Sequence, residues 1–124
     1  MLSNSNVVAF IATSKPDESK RFYSDTLGLQ LSTDDAFATA FEAHGVMLRV
    51  QKVQTHTPAP YTVLGWDVVD VHASVRELSG KGVQCERFEG LGQGKTGVWM
   101  SPSGAQIAWF KDPDGNMLSL TQFS

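Results

Sequence analysis

The chain has 124 residues, a length that suits one domain with a single core and needs no cross-links. Its 41% hydrophobic and 19% charged residues are typical of a folded soluble protein and exclude a disordered or fibrous chain. The formal net charge is −3 and the basic residues are scattered singly, so we expect no nucleic-acid partner.

The first half of the chain predicts one helix among four strands. Ser14 can cap the helix, Pro16 suits its first turn, and the charge of Asp17 meets its positive end. The helix then continues towards Leu27, and Gly28 can supply a left-handed stop. Branched and aromatic residues predict strands at 7–13, 29–34, 37–43 and 46–53.

The second half repeats this order after a linker. Residues 54–60 show no periodicity and contain two prolines, which oppose both a helix and a central strand. A helix is predicted at 70–79, with a Gly-rich loop at 89–104 further along. The predicted strands of this half are 61–69, 83–88, 105–111 and 116–122.

The repeated order of elements predicts an α+β domain over residues 1–124. It would contain two modules, about 1–55 and about 60–124, each with a strand, a helix and three further strands. A module of about 55 residues cannot bury its sheet face alone, so the two are expected to pack together.

The single cysteine and the short apolar runs indicate the compartment. Cys85 cannot form an intramolecular disulfide, which suits a reducing environment. The apolar run at 7–12 is far shorter than the ~20 residues of a membrane-spanning helix. We therefore expect a cytoplasmic protein with no export signal and no membrane association.

Three segments carry a family resemblance. They are Phe-Tyr-Ser-Asp-Thr-Leu-Gly-Leu at 22–29, Trp-Asp-Val-Val-Asp-Val at 66–71, and Trp-Phe-Lys-Asp-Pro-Asp-Gly-Asn at 109–116. In order and spacing they resemble the vicinal oxygen chelate superfamily, which includes glyoxalase I, fosfomycin and bleomycin resistance proteins, and extradiol dioxygenases. The resemblance implies two βαβββ modules whose eight strands form an open cup around a pocket, and a homodimer.

The resemblance also implies where a metal would be held. The usual ligand positions correspond to Val8, Val63 and Ser119, with a further one on the strand at 46–50, where we choose Leu48. Valine and leucine have no donor atom, and a serine hydroxyl alone is a poor ligand. The chain therefore resembles a member that lacks the usual metal ligands, and we expect neither metal nor other cofactor.

The three histidines do not supply an alternative metal site. His44 belongs to a predicted turn, His56 to the linker, and His72 to the polar side of the second helix. None has the short spacing of a zinc-binding pair, so they are predicted to be surface residues.

Arg49 and the tryptophans are further candidates for the pocket. Arg49 could face inward and bind a carboxylate or phosphate through paired hydrogen bonds, or strand alternation could turn it away from the core. Trp99 follows a flexible stretch that covers the pocket in the superfamily, so it could stack on a flat ligand, whereas Trp66 and Trp109 are predicted in the core. The predicted pocket residues are Val8, Leu48, Arg49, Val63, Trp99 and Ser119.

The leading hypothesis is a protein that binds an apolar or aromatic small molecule without a metal, possibly to sequester it. Apolar pocket walls would favour such a guest, with Ser119 or Arg49 orienting its polar end. Two alternatives stay open: a metal-dependent or metal-free lyase, isomerase or dioxygenase of the same superfamily, and a structural or regulatory module.

Overall fold

The computed structural model describes all residues from 1 to 124, and the chain divides into two compact units, Met1–Thr57 and Pro58–Ser124. Each unit contains one four-stranded sheet and one main helix in the order strand, helix, three strands. The predicted α+β class and the two βαβββ modules are therefore confirmed. No helix has the length and apolar character needed to span a membrane.

The first unit begins with a short 3₁₀ turn, Leu2–Asn4. Its helix α1, Pro16–Arg21, continues directly into a π-helical turn, Phe22–Thr26. The sheet has the order β1-β4-β3-β2, with β1 parallel to β4 and the other pairs antiparallel. Its strands are β1 Val8–Thr13, β2 Gln30–Asp34, β3 Ala38–Ala43 and β4 Val46–Lys52.

The core of the first unit lies on one face of this sheet, which we call its helix face. Phe41 on β3 is fully buried and contacts the ring of Tyr23 from the π-helical turn, with ring centroids 5.8 Å apart. Leu48 is the register partner of Phe41, and Val50 follows it two residues along β4 on the same face. Both are 1% exposed. Alternation therefore assigns the odd- and even-numbered residues of β4 to opposite faces.

The second unit repeats the arrangement with a longer helix and a shorter second strand. Helix α2 spans Val71–Gly80. The sheet has the order β5-β8-β7-β6, again with one parallel pair, β5 with β8. Its strands are β5 Thr62–Asp67, β6 Trp99–Met100, β7 Gln106–Lys111 and β8 Met117–Gln122.

The core of the second unit lies between α2 and the helix face of its sheet. Val71, on the buried side of α2, is fully buried, and its backbone amide donates to the side chain of Gln122 on β8. Phe110 on β7 is also fully buried and stacks on Trp66, with ring centroids 6.3 Å apart. Trp66, predicted as a core aromatic, makes this contact on the helix face but is only partly buried.

The helix boundaries confirm most of the predicted local signals and correct one. The helix predicted at 70–79 is observed as α2, which Asp70 caps by accepting a hydrogen bond from the Ala73 amide at 3.1 Å, and Gly28 adopts the positive φ expected of a stop. The prediction that Ser14 caps α1 was wrong. The N-cap is Lys15, whose amide is bound by the Thr13 hydroxyl.

Residues 83–88 do not form the predicted strand. Only one backbone hydrogen bond joins them to β7, from the Glu86 amide to the Trp109 carbonyl at 2.7 Å. The next partners along the same edge of β7 belong to β6, where Trp99 pairs with Ile107 and Met100 with Gln106. Residues 83–88 and β6 thus share one edge of β7. A single hydrogen bond does not make a β-ladder, so residues 83–88 are not a strand.

Candidate ligand-binding site

The second sheet has a helix-free face, opposite the one that α2 covers. Because side chains alternate along a strand, the residues on this face follow from the register. Ser119 on β8 pairs with Gly65 on β5 and with Trp109 on β7, and all three belong to the helix-free face. Trp99 on β6 joins them through its partner Ile107.

An aromatic cavity of about 470 Å³ lies on the helix-free face of the second sheet. Trp99 and Trp109 lie side by side in its wall, with ring centroids 6.1 Å apart and ring planes at 34°. Phe88 meets Trp109 edge to face at 5.3 Å. The complete lining consists of Pro60, Tyr61, Thr62, Phe88, Leu91, Trp99, Trp109 and Met117.

The loop between α2 and β6 supplies one wall of the aromatic cavity, and Gln93 holds that loop together. Its side-chain amide donates to the carbonyl oxygens of Glu86 at 3.0 Å and Gly97 at 2.6 Å. Its side-chain oxygen accepts the backbone amide of Phe88 at 2.7 Å. The prediction that the Gly-rich stretch lies over a pocket agrees with this geometry, because Leu91 lines the cavity.

The aromatic cavity is apolar and carries no carboxylate or cationic side chain in its lining. Thr62 and Tyr61 offer its only side-chain hydroxyls. Behind the loop, Cys85 packs against Gly97, and burial raises the pKa of its thiol. The site therefore favours contact with flat or apolar surfaces over ionic recognition or acid–base chemistry.

Three of the six predicted pocket residues lie in the second unit. Trp99 lines the aromatic cavity. Ser119 lies on the same face of the sheet, two residues along β8 from Met117, and pairs with Gly65. Val63 lies where the pairing of β5 with β8 is irregular, and it does not line the cavity, although its neighbour Thr62 does.

The other three predicted pocket residues lie in the first unit and do not share one face. Val8 and Arg49 are on the helix-free face of that sheet, where Arg49 pairs with Phe10. Leu48 is buried on the helix face, beside Phe41. Placing Leu48 and Arg49 in one pocket was therefore wrong, because adjacent residues of a strand point to opposite faces. Arg49 lies on the face opposite to the buried Leu48, and its role in a pocket stays a prediction.

Sequence reasoning missed most of the aromatic cavity. Trp109 was predicted to be a core residue, but it is Phe110 that is fully buried, and Trp109 lines the cavity on the other face. The adjacent pair Trp109-Phe110 was itself a signal, since two consecutive strand residues cannot both enter the same core. Phe88 and Leu91 come from the long loop, and no periodic pattern marks them.

The residues at the superfamily's usual ligand positions do not fit a metal ion. Val8 and Val63 have no donor atoms, Ser119 contributes one hydroxyl, and Leu48 is buried on the face opposite to that of Val8. No group of three or more histidine, cysteine or acidic side chains is close enough to share an ion. His72 instead meets the side chain of Gln106 at 3.1 Å, and His44 occupies a turn with φ 48°.

Comparison with known proteins identifies the family. The model of the Glyoxalase/Bleomycin resistance protein/Dioxygenase superfamily matches residues 6–120, and the chain belongs to this superfamily. A superfamily member from Sphaerobacter thermophilus is 20% identical, with a TM-score of 0.77 over 98% of this chain and 99% of the other. The comparison with curated proteins returned no match.

Two further solved structures show the same fold. The bleomycin resistance determinant encoded on the transposon Tn5 is 19% identical, with a TM-score of 0.76 over 98% of this chain and 99% of the other. A lactoylglutathione lyase from Agrobacterium tumefaciens is 14% identical, with a TM-score of 0.74 over 98% and 96% of the two chains. The fold is thus shared by a resistance protein and an enzyme, and the site has to decide between such functions.

Proposed function

We propose that this protein binds an apolar or aromatic small molecule in the aromatic cavity, without a metal ion, and sequesters it. The observation that carries the proposal is the cavity itself, about 470 Å³ of space between two tryptophans, a phenylalanine and a loop leucine. A volume of this size is in the usual range for small-molecule sites. Each aromatic contact with a ligand ring contributes about 0.5–1.5 kcal/mol beyond the burial of apolar area.

Two features favour binding over catalysis. The cavity lining contains a single ionisable side chain, Tyr61, so it lacks the paired acid and base that proton transfer uses. Of the residues predicted at the superfamily's metal-ligand positions, Val8 and Val63 have no donor atom and Leu48 is buried on the other face, so the Ser119 hydroxyl alone cannot supply the superfamily's metal chemistry.

We further propose that the protein is a cytoplasmic homodimer. The helix-free face of the first sheet exposes Val8, Phe10 and Met47, which are 41%, 55% and 42% exposed. An apolar sheet face of this kind favours contact with a second copy. Analytical ultracentrifugation of wild type and of Phe10→Glu tests the dimer, and a monomeric wild type contradicts it.

The single unpaired cysteine is consistent with a reducing compartment, which supports the cytoplasmic location.

The binding proposal is tested with N-phenyl-1-naphthylamine, an uncharged aromatic dye whose fluorescence rises in apolar surroundings. Wild-type protein is expected to bind it, with the same affinity in the presence and absence of EDTA. Trp109→Ala and Trp99→Ala should each weaken binding about tenfold, because each removes an aromatic contact and apolar area.

Phe37→Ala is the matched control. Phe37 is 78% exposed and lies in the first unit, so its loss removes an aromatic ring without touching the cavity. Circular dichroism should show that all three variants remain folded. Equal affinity of wild type and both tryptophan variants, or no dye binding by wild type at millimolar concentration, contradicts the proposal.

A further inference from the structure

A second cavity lies on the same unit and at the other end of the same two strands. This acidic cavity has a volume of about 280 Å³ and is lined by Gly65, Trp66, Asp67, Thr121 and Phe123. Asp67 is the only charged residue in the lining of either cavity. The acidic cavity plays no part in the binding proposed above.

The register places the two cavities in line along the helix-free face. Met117 lines the aromatic cavity, Thr121 lines the acidic cavity, and Ser119 lies between them on β8. Four residues of strand span about 13 Å, so one elongated molecule could reach both cavities. Of the five register pairs between β5 and β8, three belong to this face: Thr62 with Met117, Gly65 with Ser119, and Asp67 with Thr121.

Gly65 lies between the two cavities on β5 and has no side chain that could project from the sheet there. A Cβ atom added at Gly65 would lie 2.6 Å from the Ser119 hydroxyl oxygen, closer than real Cβ atoms approach other atoms. The Ser119 hydroxyl forms no hydrogen bond within the chain. The buried Ser119 hydroxyl therefore occupies the space that a side chain at residue 65 would need, which is why a glycine is required there.

Asp67 is available to a cation. Its carboxylate forms no ion pair or hydrogen bond within the chain, and the net charge of the protein is −3. A carboxylate beside hydroxyl and aromatic groups suits an ammonium, which donates charged hydrogen bonds and is attracted to aromatic rings. An anionic group at the same place would be repelled.

We propose that the ligand is an aromatic cation, with its ring in the aromatic cavity and an amine on a flexible arm beside Asp67. This inference rests on the proposed function, because it assigns the second half of the same ligand.

Three dansyl probes with arms of similar length test this inference by fluorescence titration. N-dansylcadaverine ends in an ammonium, N-dansylpentylamine in an uncharged methyl group, and dansyl-6-aminohexanoate in a carboxylate. Wild type should bind the cationic probe about fivefold more tightly than the neutral one, the upper range for an exposed ion pair, and the anionic probe most weakly. Added salt should reduce the preference.

Asp67→Asn should remove the preference for the cationic probe and leave the affinity for the neutral probe unchanged. Glu77→Gln is the matched control, because it removes one negative charge from the exposed side of α2 in the same unit. Glu77→Gln should keep the fivefold preference. If it loses the preference as Asp67→Asn does, net charge and not Asp67 recognises the cation, and the inference is wrong.

The two proposals fail in different ways. If all three probes bind wild type equally, the cation site is contradicted while the aromatic site stands. If no probe binds, including the neutral one, the proposed function itself is contradicted. A cationic preference that survives in Asp67→Asn overturns the inference alone.

Discussion

The two units share one order of elements but differ in the connection that follows the helix. In the first unit three residues, 27–29, lead from the π-helical turn to β2. In the second unit residues 81–98 separate α2 from β6. This long connection carries Phe88 and Leu91 into the wall of the aromatic cavity. In the second unit, strand residues form one side of the aromatic cavity, and residues of the long connection form another side.

The two units also use different helices to build similar cores. α2 is regular over ten residues and is capped by Asp70. α1 has six residues and no side-chain cap, and its π-helical extension places Tyr23 fully buried against Phe41. The large aromatic side chain compensates for the short helix, because burying it removes a large apolar area from water.

The largest expected effect tests whether the two cores are equally important. Phe41 and Phe110 are each fully buried on the helix face of their sheets. Phe41→Ala and Phe110→Ala should each lower the free energy of unfolding by about 3–5 kcal/mol, through lost burial and the cavity left behind. Urea denaturation followed by circular dichroism measures both.

Should an alanine variant fail to fold, Phe41→Leu and Phe110→Leu provide a milder comparison with smaller losses. A loss below 1 kcal/mol for either alanine variant would show that one unit depends little on its aromatic core.

The next effect concerns the long connection, which has no counterpart in the first unit. Gly97 is buried with φ 94°, and a Cβ there would lie 2.8 Å from the Cys85 Cβ. Gly97→Ala should lower the free energy of unfolding by about 3 kcal/mol, from left-handed strain and overpacking, and should weaken dye binding.

Gly90→Ala is the control for this variant. Gly90 also has a positive φ, 80°, but nothing lies within 4 Å of an added Cβ. Its substitution should cost about 1 kcal/mol from backbone strain alone. Equal destabilisation by the two variants would mean that the contact with Cys85 is not what constrains the loop.

The smallest expected effect concerns the ion pairs of the two units. In the first unit, Asp34 on β2 forms ion pairs with two lysines at shorter distances than the ion pair of the second unit. Hydrogen bonds from Lys52 at 2.6 Å and Lys20 at 3.0 Å hold the pKa of Asp34 at about 2, below the usual 3.8. In the second unit the pair of Lys111 with Glu86 is longer, at 3.5 Å. Because the pKa is lowered on folding, Asp34 stabilises the protein above pH 3.8, and this contribution is lost as the pH falls towards 2.

Asp34→Asn should therefore be slightly less stable than wild type at pH 7, with the difference disappearing near pH 2. The effect should be small and should decrease in high salt, because these side chains are exposed. Urea midpoints measured between pH 7 and pH 2 test this, with Glu77→Gln as a control that should show no such pH dependence. A difference that persists unchanged at pH 2 would contradict the role of the Asp34 carboxylate.

Local signals in the sequence predicted most of the fold. Gly28, Gly82 and Asp70 mark helix ends through backbone conformation and short-range hydrogen bonds, which depend on neighbouring residues alone. The strand predicted at 83–88 failed because a strand needs a partner edge. The available edge of β7 is divided between β6 and a single bond to Glu86.

The candidate site was less predictable because it depends on which face each side chain occupies. Trp99 was identified, whereas Trp109 was assigned to the core and Leu48 to a pocket. Both errors concern adjacent residues, Trp109 with Phe110 and Leu48 with Arg49. A shift of one residue in register exchanges the two faces, and local sequence does not fix that register.

The sequence by itself determined the superfamily, the α+β class, the order of elements and the lack of donor atoms at most of the usual ligand positions. These follow from periodicity, turn residues and side-chain chemistry, which are properties of the chain alone. Only the tertiary structure decided that Trp99, Trp109 and Phe88 meet in one cavity and that Asp67 lies further along the same face. The physical reason is that strand pairing and the path of a long loop bring together residues that are far apart in the chain.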